Sequence, residues 1–161
     1  MPHIRRSTKE DALLYFTWAN EHEVRKQSFI SEPISFTDHI AWFEKKLTDD
    51  QCIMLIVEDD SNSPIGQIRF QQVEDDAYTI GISVDKMWRG KKMAVEMLNL
   101  SANYLFNIYP AKKIFAFIKE NNIASIGSFE KAGYINREKV FVNGCKSFKY
   151  IKENKNANSE F

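Results

Sequence analysis

Cysteine is scarce in this 161-residue chain, which has only Cys52 and Cys145. Two cysteines make neither a disulfide framework nor a zinc ribbon. The three histidines, His3, His22 and His39, lack metal-ligand spacing. Glycine and proline are also few, at six and four. No Gly-Lys-Ser/Thr follows a glycine-rich run, which excludes a Walker loop, and no Gly-x-Ser-x-Gly elbow is present. An excess of one charge is absent too. The 22 basic side chains balance 22 acidic ones, so no global field draws nucleic acid or an anionic membrane. No apolar run approaches the roughly 20 residues that a membrane-spanning helix needs. The opening MPHIRRSTKE does not read as a signal peptide. The resulting expectation is a cytoplasmic protein with no nucleic-acid or membrane partner and no metal.

What is present is apolar and aromatic: 43% hydrophobic residues and 13% aromatics. That supports one domain with one sizeable core, expected over residues 1–152, with a polar, disordered tail over 153–161. No internal repeat or linker interrupts it.

Residues 4–6 read as a first strand. Thr8 with Asp11 is a capping-box signal. A helix carrying Leu14 and Trp18 follows, and NEHEVRKQSF is either a short helix or irregular. Ser35 reads as an N-cap, with Phe36, Ile40, Phe43 and Leu47 as one buried stripe. CIMLIVEDD reads as a strand covered on both faces. IGQIRFQQV and AYTIGISVD form a hairpin about Glu74-Asp75-Asp76, and mid-strand Gly81 suggests a bulge or a close ligand approach. A helix over 91–107, the strand KIFAFIK and a helix from Asn122 to the C-cap Gly133 come next. The chain closes on a hairpin about a type I′ Asn143-Gly144 turn. The order predicts an α/β fold, a mixed sheet with helices on both faces.

The stretch VDKMWRGKKMAVEMLNL, from Val84, brings a basic loop to the mouth of a helix. The first N–H groups of a helix have no internal partner and sit at its positive end. A pyrophosphate fits there, with Arg89, Lys91 and Lys92 adding charge. A solvated basic helix start is the alternative reading of the same residues.

The loop resembles the phosphate loop of the GNAT (Gcn5-related) N-acetyltransferases, Arg/Gln-x-x-Gly-x-Gly/Ala. Arg89, Lys92 and Ala94 stand at its three positions, with Lys92 replacing the inner glycine. ENNIASIGSFEKAGY is similar to a second family segment at Asn122, Ser125, Phe129, Glu130, Lys131, Gly133 and Tyr134. The resemblance implies a seven-stranded, mostly antiparallel sheet that splays between its fourth and fifth strands, here residues 78–85 and 113–119. Acetyl-coenzyme A is expected in the splay, as co-substrate and without metal. Expected cofactor contacts are Ile82, Ser83, Val84, Arg89, Gly90, Lys91, Lys92, Met93, Ala94, Asn122, Ser125, Phe129 and Lys131. A bulge in the fourth strand would leave an unpaired N–H near Ile82, Ser83 and Val84 to hold the oxyanion.

Direct transfer needs a neutral amine and therefore a base. Glu120 is the first choice, His39 the second and Glu74 the third. Many relatives carry a tyrosine acid where this chain has Phe129, which leaves Tyr78 and Tyr134 as substitutes. The segment WANEHEVRKQSFISEPISFTDHIAWFEKKL resembles the subgroup that acetylates nucleotide-linked 4-amino sugars, as in pseudaminic acid biosynthesis. Expected substrate contacts are Arg25, Ser28, Phe29 and Glu74. A protein N-terminus or polyamine acceptor, drawn by Glu58-Asp59-Asp60 and Glu74-Asp75-Asp76, is the alternative. A coenzyme A-binding module without turnover is another. A homodimer is left open.

Overall fold

A computed structural model describes residues 1–155. The elements run β1 (His3–Arg6), α1 (Ala12–Ala19), α2 (His22–Gln27), α3 (Phe36–Leu47), β2 (Cys52–Glu58), β3 (Pro64–Glu74), β4 (Ala77–Val84), α4 (Met93–Ile108), β5 (Lys113–Lys119), α5 (Ile123–Lys131), β6 (Ile135–Val142) and β7 (Cys145–Glu153). Short 3-10 turns at Lys9–Asp11 and Lys86–Trp88 precede α1 and the α4 loop. The seven strands form one sheet in the order β1-β2-β3-β4-β5-β7-β6. Among the described residues, only β4 and β5 pair in parallel.

Every residue of β2 is buried, as its continuous apolar run predicts. Alternation sends its side chains to opposite faces. Cys52, Met54 and Ile56 pack with Tyr15, Trp18 and Phe43 of α1 and α3. Ile53, Leu55 and Val57 join Met97, Leu98 and Leu105 of α4 and Phe129 of α5. Burying each such aliphatic side chain contributes about 1.5–3 kcal/mol before entropy is counted. The sheet thus carries helices on both faces. None of the helices among the described residues is long and apolar enough to cross a membrane.

Local chemistry sets the element ends. Asp11 accepts the Thr8 N–H at 2.8 Å, and Ser35 Oγ accepts the Asp38 N–H at 3.2 Å. Gly133 ends α5 at φ +89°, and Asn143 and Gly144 both adopt positive φ in the last hairpin.

Three expectations change. The α3 stripe is not Phe36, Ile40, Phe43 and Leu47: Phe36 is half exposed, and His39 and Phe43 are the buried pair. Gly81 carries no bulge, because β3–β4 pairing runs in register through Arg69↔Gly81 and shifts only between Gln72 and Glu74. Helix α4 starts at Met93, two residues later than predicted, because Lys92 is left-handed. At the chain's end, β7 runs to Glu153 and the Asn154 N–H donates to the Lys112 carbonyl at 2.8 Å. Residues 156–161 of the polar tail lie outside the described residues.

Candidate active site

Strands β4 and β5 pair through three residues only: Ala77↔Lys113, Tyr78↔Ile114 and Thr79↔Phe115. Beyond these, residues 80–84 stay paired to β3 and residues 116–119 stay paired to β7. Each strand is held on its outer edge while the inner edges part. Backbone N–H and C=O groups alternate between the two edges of a strand, so every second residue of 80–84 directs its donor into the gap. These donors come from divergence of the strands, not from a bulge. A cleft of about 960 Å³ opens along the gap. Ile82, Ser83 and Val84 line one wall, and Ala116, Ile118 and Lys119 line the other.

The loop into α4 meets one end of this cleft. Asp85 anchors it, accepting from Met87 N at 2.9 Å and from Trp18 Nε1 at 2.8 Å. Arg89 is spoken for: its Nε donates to the Val84 carbonyl at 3.1 Å, and its Nη atoms form a bidentate pair with Glu21. It braces the loop and does not offer a free charge. Lys91 lies over the Trp88 ring at 5.5 Å and is outside the lining. Gly90 at φ +75° and Lys92 at φ +61° bend the chain so that α4 opens toward the cleft. Lys92 is the N-cap residue, and its side chain cannot accept a hydrogen bond. The N–H groups of the first turn are therefore left for a ligand, and Gly90, Lys92, Met93 and Ala94 line the cleft.

Helix α5 supplies the far wall through Asn122, Ser125 and Phe129. Asn122 Oδ1 accepts the Ser125 N–H at 3.3 Å, so it caps the helix from within the lining. Lys131 is exposed at the other end of α5 and outside the lining. Tyr134 is buried edge-on against Phe129 at 4.9 Å, and burial raises its phenol pKa above the ordinary value. Tyr78 is buried in the closed half of the β4–β5 pair, beside Tyr109. Neither tyrosine lines the cleft. Glu120 is exposed, its N–H bonded to the Lys146 carbonyl, and also falls outside the lining. Glu74 pairs with Ala77 at the closed end of the gap and is exposed.

The other face of the gap is covered by α2, α3 and the segment between them. Arg25 donates to the Ile30 and Glu32 carbonyls at 3.0 and 3.2 Å and to Ser28 Oγ at 3.1 Å. Ser28 Oγ in turn donates to the Val24 carbonyl at 2.6 Å. Arg25 and Ser28 thus shape the segment that presents Phe29 to the cleft. His39 is 2% exposed, ringed by Phe16, Trp42 and Phe43, and its Nε2 has no partner. Burial lowers its pKa, against a weaker opposing hydrogen bond to the Ala12 backbone. His39 lines the cleft as a neutral imidazole at pH 7.

Sequence reading missed three residues here. Glu23 is the sole carboxylate in the lining, against Arg25, Arg69, Arg89, Lys92 and Lys119. Gln67, 7% exposed, donates from Nε2 to Ser83 Oγ at 3.1 Å and leaves Oε1 unpaired. Arg69 Cζ lies over the Trp42 ring, 5.1 Å from the centroid, and its Nη2 faces Gly81. The alternation Gln67-Ile68-Arg69-Phe70-Gln71 was the available signal, a polar face in mid-strand opposite a glycine.

The chain matches the family model for the acetyltransferase (GNAT) domain over residues 3–135. It is 31% identical over 134 residues to the uncharacterized protein MJ1062 of Methanocaldococcus jannaschii, covering 81% of this chain. The chain spans about a quarter (27%) of that relative's length. A domain from M. jannaschii superposes with a TM-score of 0.81 at 26% identity, covering 95% of this chain and 98% of the other. The spermidine N-acetyltransferase of Vibrio cholerae, in complex with CoA and spermine, gives 0.85 at 19% identity over 94% and 95% of the two chains. The aminoglycoside acetyltransferase AAC(6')-Ib, in complex with coenzyme A and kanamycin, gives 0.83 at 17% over 99% and 98%. At these identities the last two likenesses speak for the fold alone.

Proposed function

We propose that this chain, which belongs to the GNAT acetyltransferase family, takes an acetyl group from acetyl-coenzyme A and passes it to the 4-amino group of a nucleotide-linked amino-deoxy sugar. The observation that carries the acceptor class is the charge of the cleft: one carboxylate, Glu23, against Arg25, Arg69, Lys92 and Lys119, with Arg89 already neutralised by Glu21. A polyamine or aminoglycoside brings several positive charges, and such a lining repels them. An acceptor bearing phosphates fits it. The acidic clusters that favoured a cationic acceptor stand elsewhere. Glu58 pairs with Arg5 at 3.0 Å, Asp59 accepts from Ser61 and Ser63 in a turn, and Glu74 is at the closed end of the gap.

Transfer proceeds in a ternary complex. The α4 N-terminus and its left-handed loop hold the diphosphate, and the pantetheine arm lies between β4 and β5. Unpaired N–H groups of residues 80–84 polarise the thioester carbonyl and stabilise the tetrahedral oxyanion, a contribution of about 3 kcal/mol in comparable sites. The amine must arrive neutral, because an ammonium has no lone pair to attack with. Neutral His39 Nε2 takes the proton, directly or through water. The N–C bond forms, the C–S bond breaks, and the thiolate takes a proton from solvent. A thiol pKa near 8.5 makes that departure possible without a dedicated acid, which fits the Phe129 substitution. Free Cys52 and Cys145 suit a reducing cytoplasm, which belongs to the same proposal.

The test is thiol release from acetyl-coenzyme A with UDP-linked 4-amino sugars, spermidine, kanamycin and a peptide N-terminus. The expected result is a kcat/KM for one nucleotide-linked sugar about a hundredfold or more above the others. Preference for spermidine or kanamycin would overturn the acceptor class. Coenzyme A binding with no acceptor turned over would favour a binding module.

A further inference from the structure

A second cavity, of about 290 Å³, opens beside the main cleft on the α3 face of the sheet. The two share Trp42, Arg69, Ile80 and Gly81. The small cavity adds Lys46, Gln71 and Thr79, and no carboxylate lines it. At its junction with the cleft sits Arg69. The guanidinium carbon lies over the Trp42 ring, 5.1 Å from its centroid, a cation–π contact that uses none of the donors on the N–H edge. Among the described residues that edge meets no carboxylate and no hydrogen-bond acceptor. The ionisable groups that act on it are Cys52 and Tyr15, both protonated at neutral pH because burial raises their pKa values. Gly81 clears the space in front of it: a Cβ there would sit 3.2 Å from Arg69 Nη2. Lys46 adds a second cation, held at 2.7 Å by Gln71 Oε1, a neutral acceptor.

An uncompensated guanidinium in a semi-enclosed site is costly to keep, and is the arrangement expected where an anion completes it. Arg25, by contrast, commits its Nη atoms to the Ile30 and Glu32 carbonyls and to Ser28 Oγ, and keeps only a buried Nε unpaired. We propose that Arg69, backed by Lys46, forms a phosphate-binding subsite for the acceptor, separate from the one at the α4 N-terminus. This rests on the nucleotide-linked acceptor reading, and it names the groups that would hold that acceptor's phosphate. The planar fork offers two parallel N–H donors to a phosphate.

The two phosphate sites separate experimentally when coenzyme A fills its own. Inorganic pyrophosphate is titrated calorimetrically into coenzyme A-saturated protein at fixed ionic strength. The expected result is one further binding event, weakened about tenfold or more in Arg69→Met, with Arg69→Lys between the two. Coenzyme A affinity serves as the folding control and stays within about twofold in both variants. In steady state, Arg69→Met raises KM for a nucleotide-linked acceptor and leaves KM for acetyl-coenzyme A unchanged. If saturated wild-type protein binds no pyrophosphate, or Arg69→Met binds it equally well, the subsite is overturned, even where a nucleotide sugar is turned over. If pyrophosphate binds through Arg69 but no nucleotide sugar is acetylated, the acceptor reading fails and the anion subsite stands.

Discussion

Replacing Lys92 with glycine is expected to stabilise the protein and to leave coenzyme A binding almost intact. Lys92 sits at φ +61°, ψ +18°, immediately ahead of α4. A left-handed conformation costs a non-glycine residue about 1–2 kcal/mol. Glycine adopts it freely but loses about 0.5–1 kcal/mol more backbone entropy on folding. The net gain is about 0.5–1 kcal/mol, or a rise in melting temperature of about 1–4 °C in a domain of this size. On the binding side, Lys92 is exposed, so its charge acts on a phosphate through water and salt. Losing it is expected to weaken coenzyme A about fivefold or less, since the α4 backbone donors remain. Lys92→Glu separates charge from backbone. An acid at a helix N-terminus is tolerated or favoured, so folding holds, but reversing the charge beside a diphosphate should weaken binding about tenfold or more. Calorimetric titration and thermal melts on the three proteins read both quantities. A loss of about thirtyfold or more in a well-folded Lys92→Gly would mean that the ammonium, and not the main chain, grips the phosphates.

Three further outcomes follow from the same geometry. A Cβ on Gly66 would lie 2.3 Å from the Ser83 carbonyl oxygen and 2.7 Å from Met97 Cε; Gly66→Ala should therefore lose about 3 kcal/mol in urea unfolding. Gly81→Ala crowds only the movable end of Arg69, so stability should hold while KM for the acceptor rises about threefold or more and KM for acetyl-coenzyme A does not. His39 has a folded pKa below its unfolded value of about 6.5. Its contribution to stability is thus full above that value and is lost as pH falls through the folded pKa. Melting temperature should drop across this window, and His39→Phe should flatten that part of the profile while lowering kcat.

Residue patterns carried most of the architecture. The β2 run, the α3 cap, the Asn143-Gly144 turn and the Gly133 stop are short-range signals, and local physics decides them. The order of elements came through with them, while the place where two strands part came from the family resemblance. The site was harder. Arg89 and Arg25 look like free cations in sequence, but Glu21 and a set of loop carbonyls occupy them, and those partners come from other turns of chain. His39 falls outside the apolar stripe that the α3 spacing suggests, yet the helix is rotated to bury it. Arg69 and Glu23 became visible only once the sheet and α2 met. Glu120 was placed by analogy at the strand end, and its side chain lies outside the cleft that residues 116–119 line.

The most direct test is amide hydrogen exchange with and without acetyl-coenzyme A. The cofactor should slow exchange at alternate residues of 80–84 and at Met93, Ala94 and Val95, and leave β6 unchanged. No protection at either segment, or protection confined to β6 and β7, would contradict the view that main-chain donors at the β4–β5 gap and the α4 N-terminus hold the cofactor.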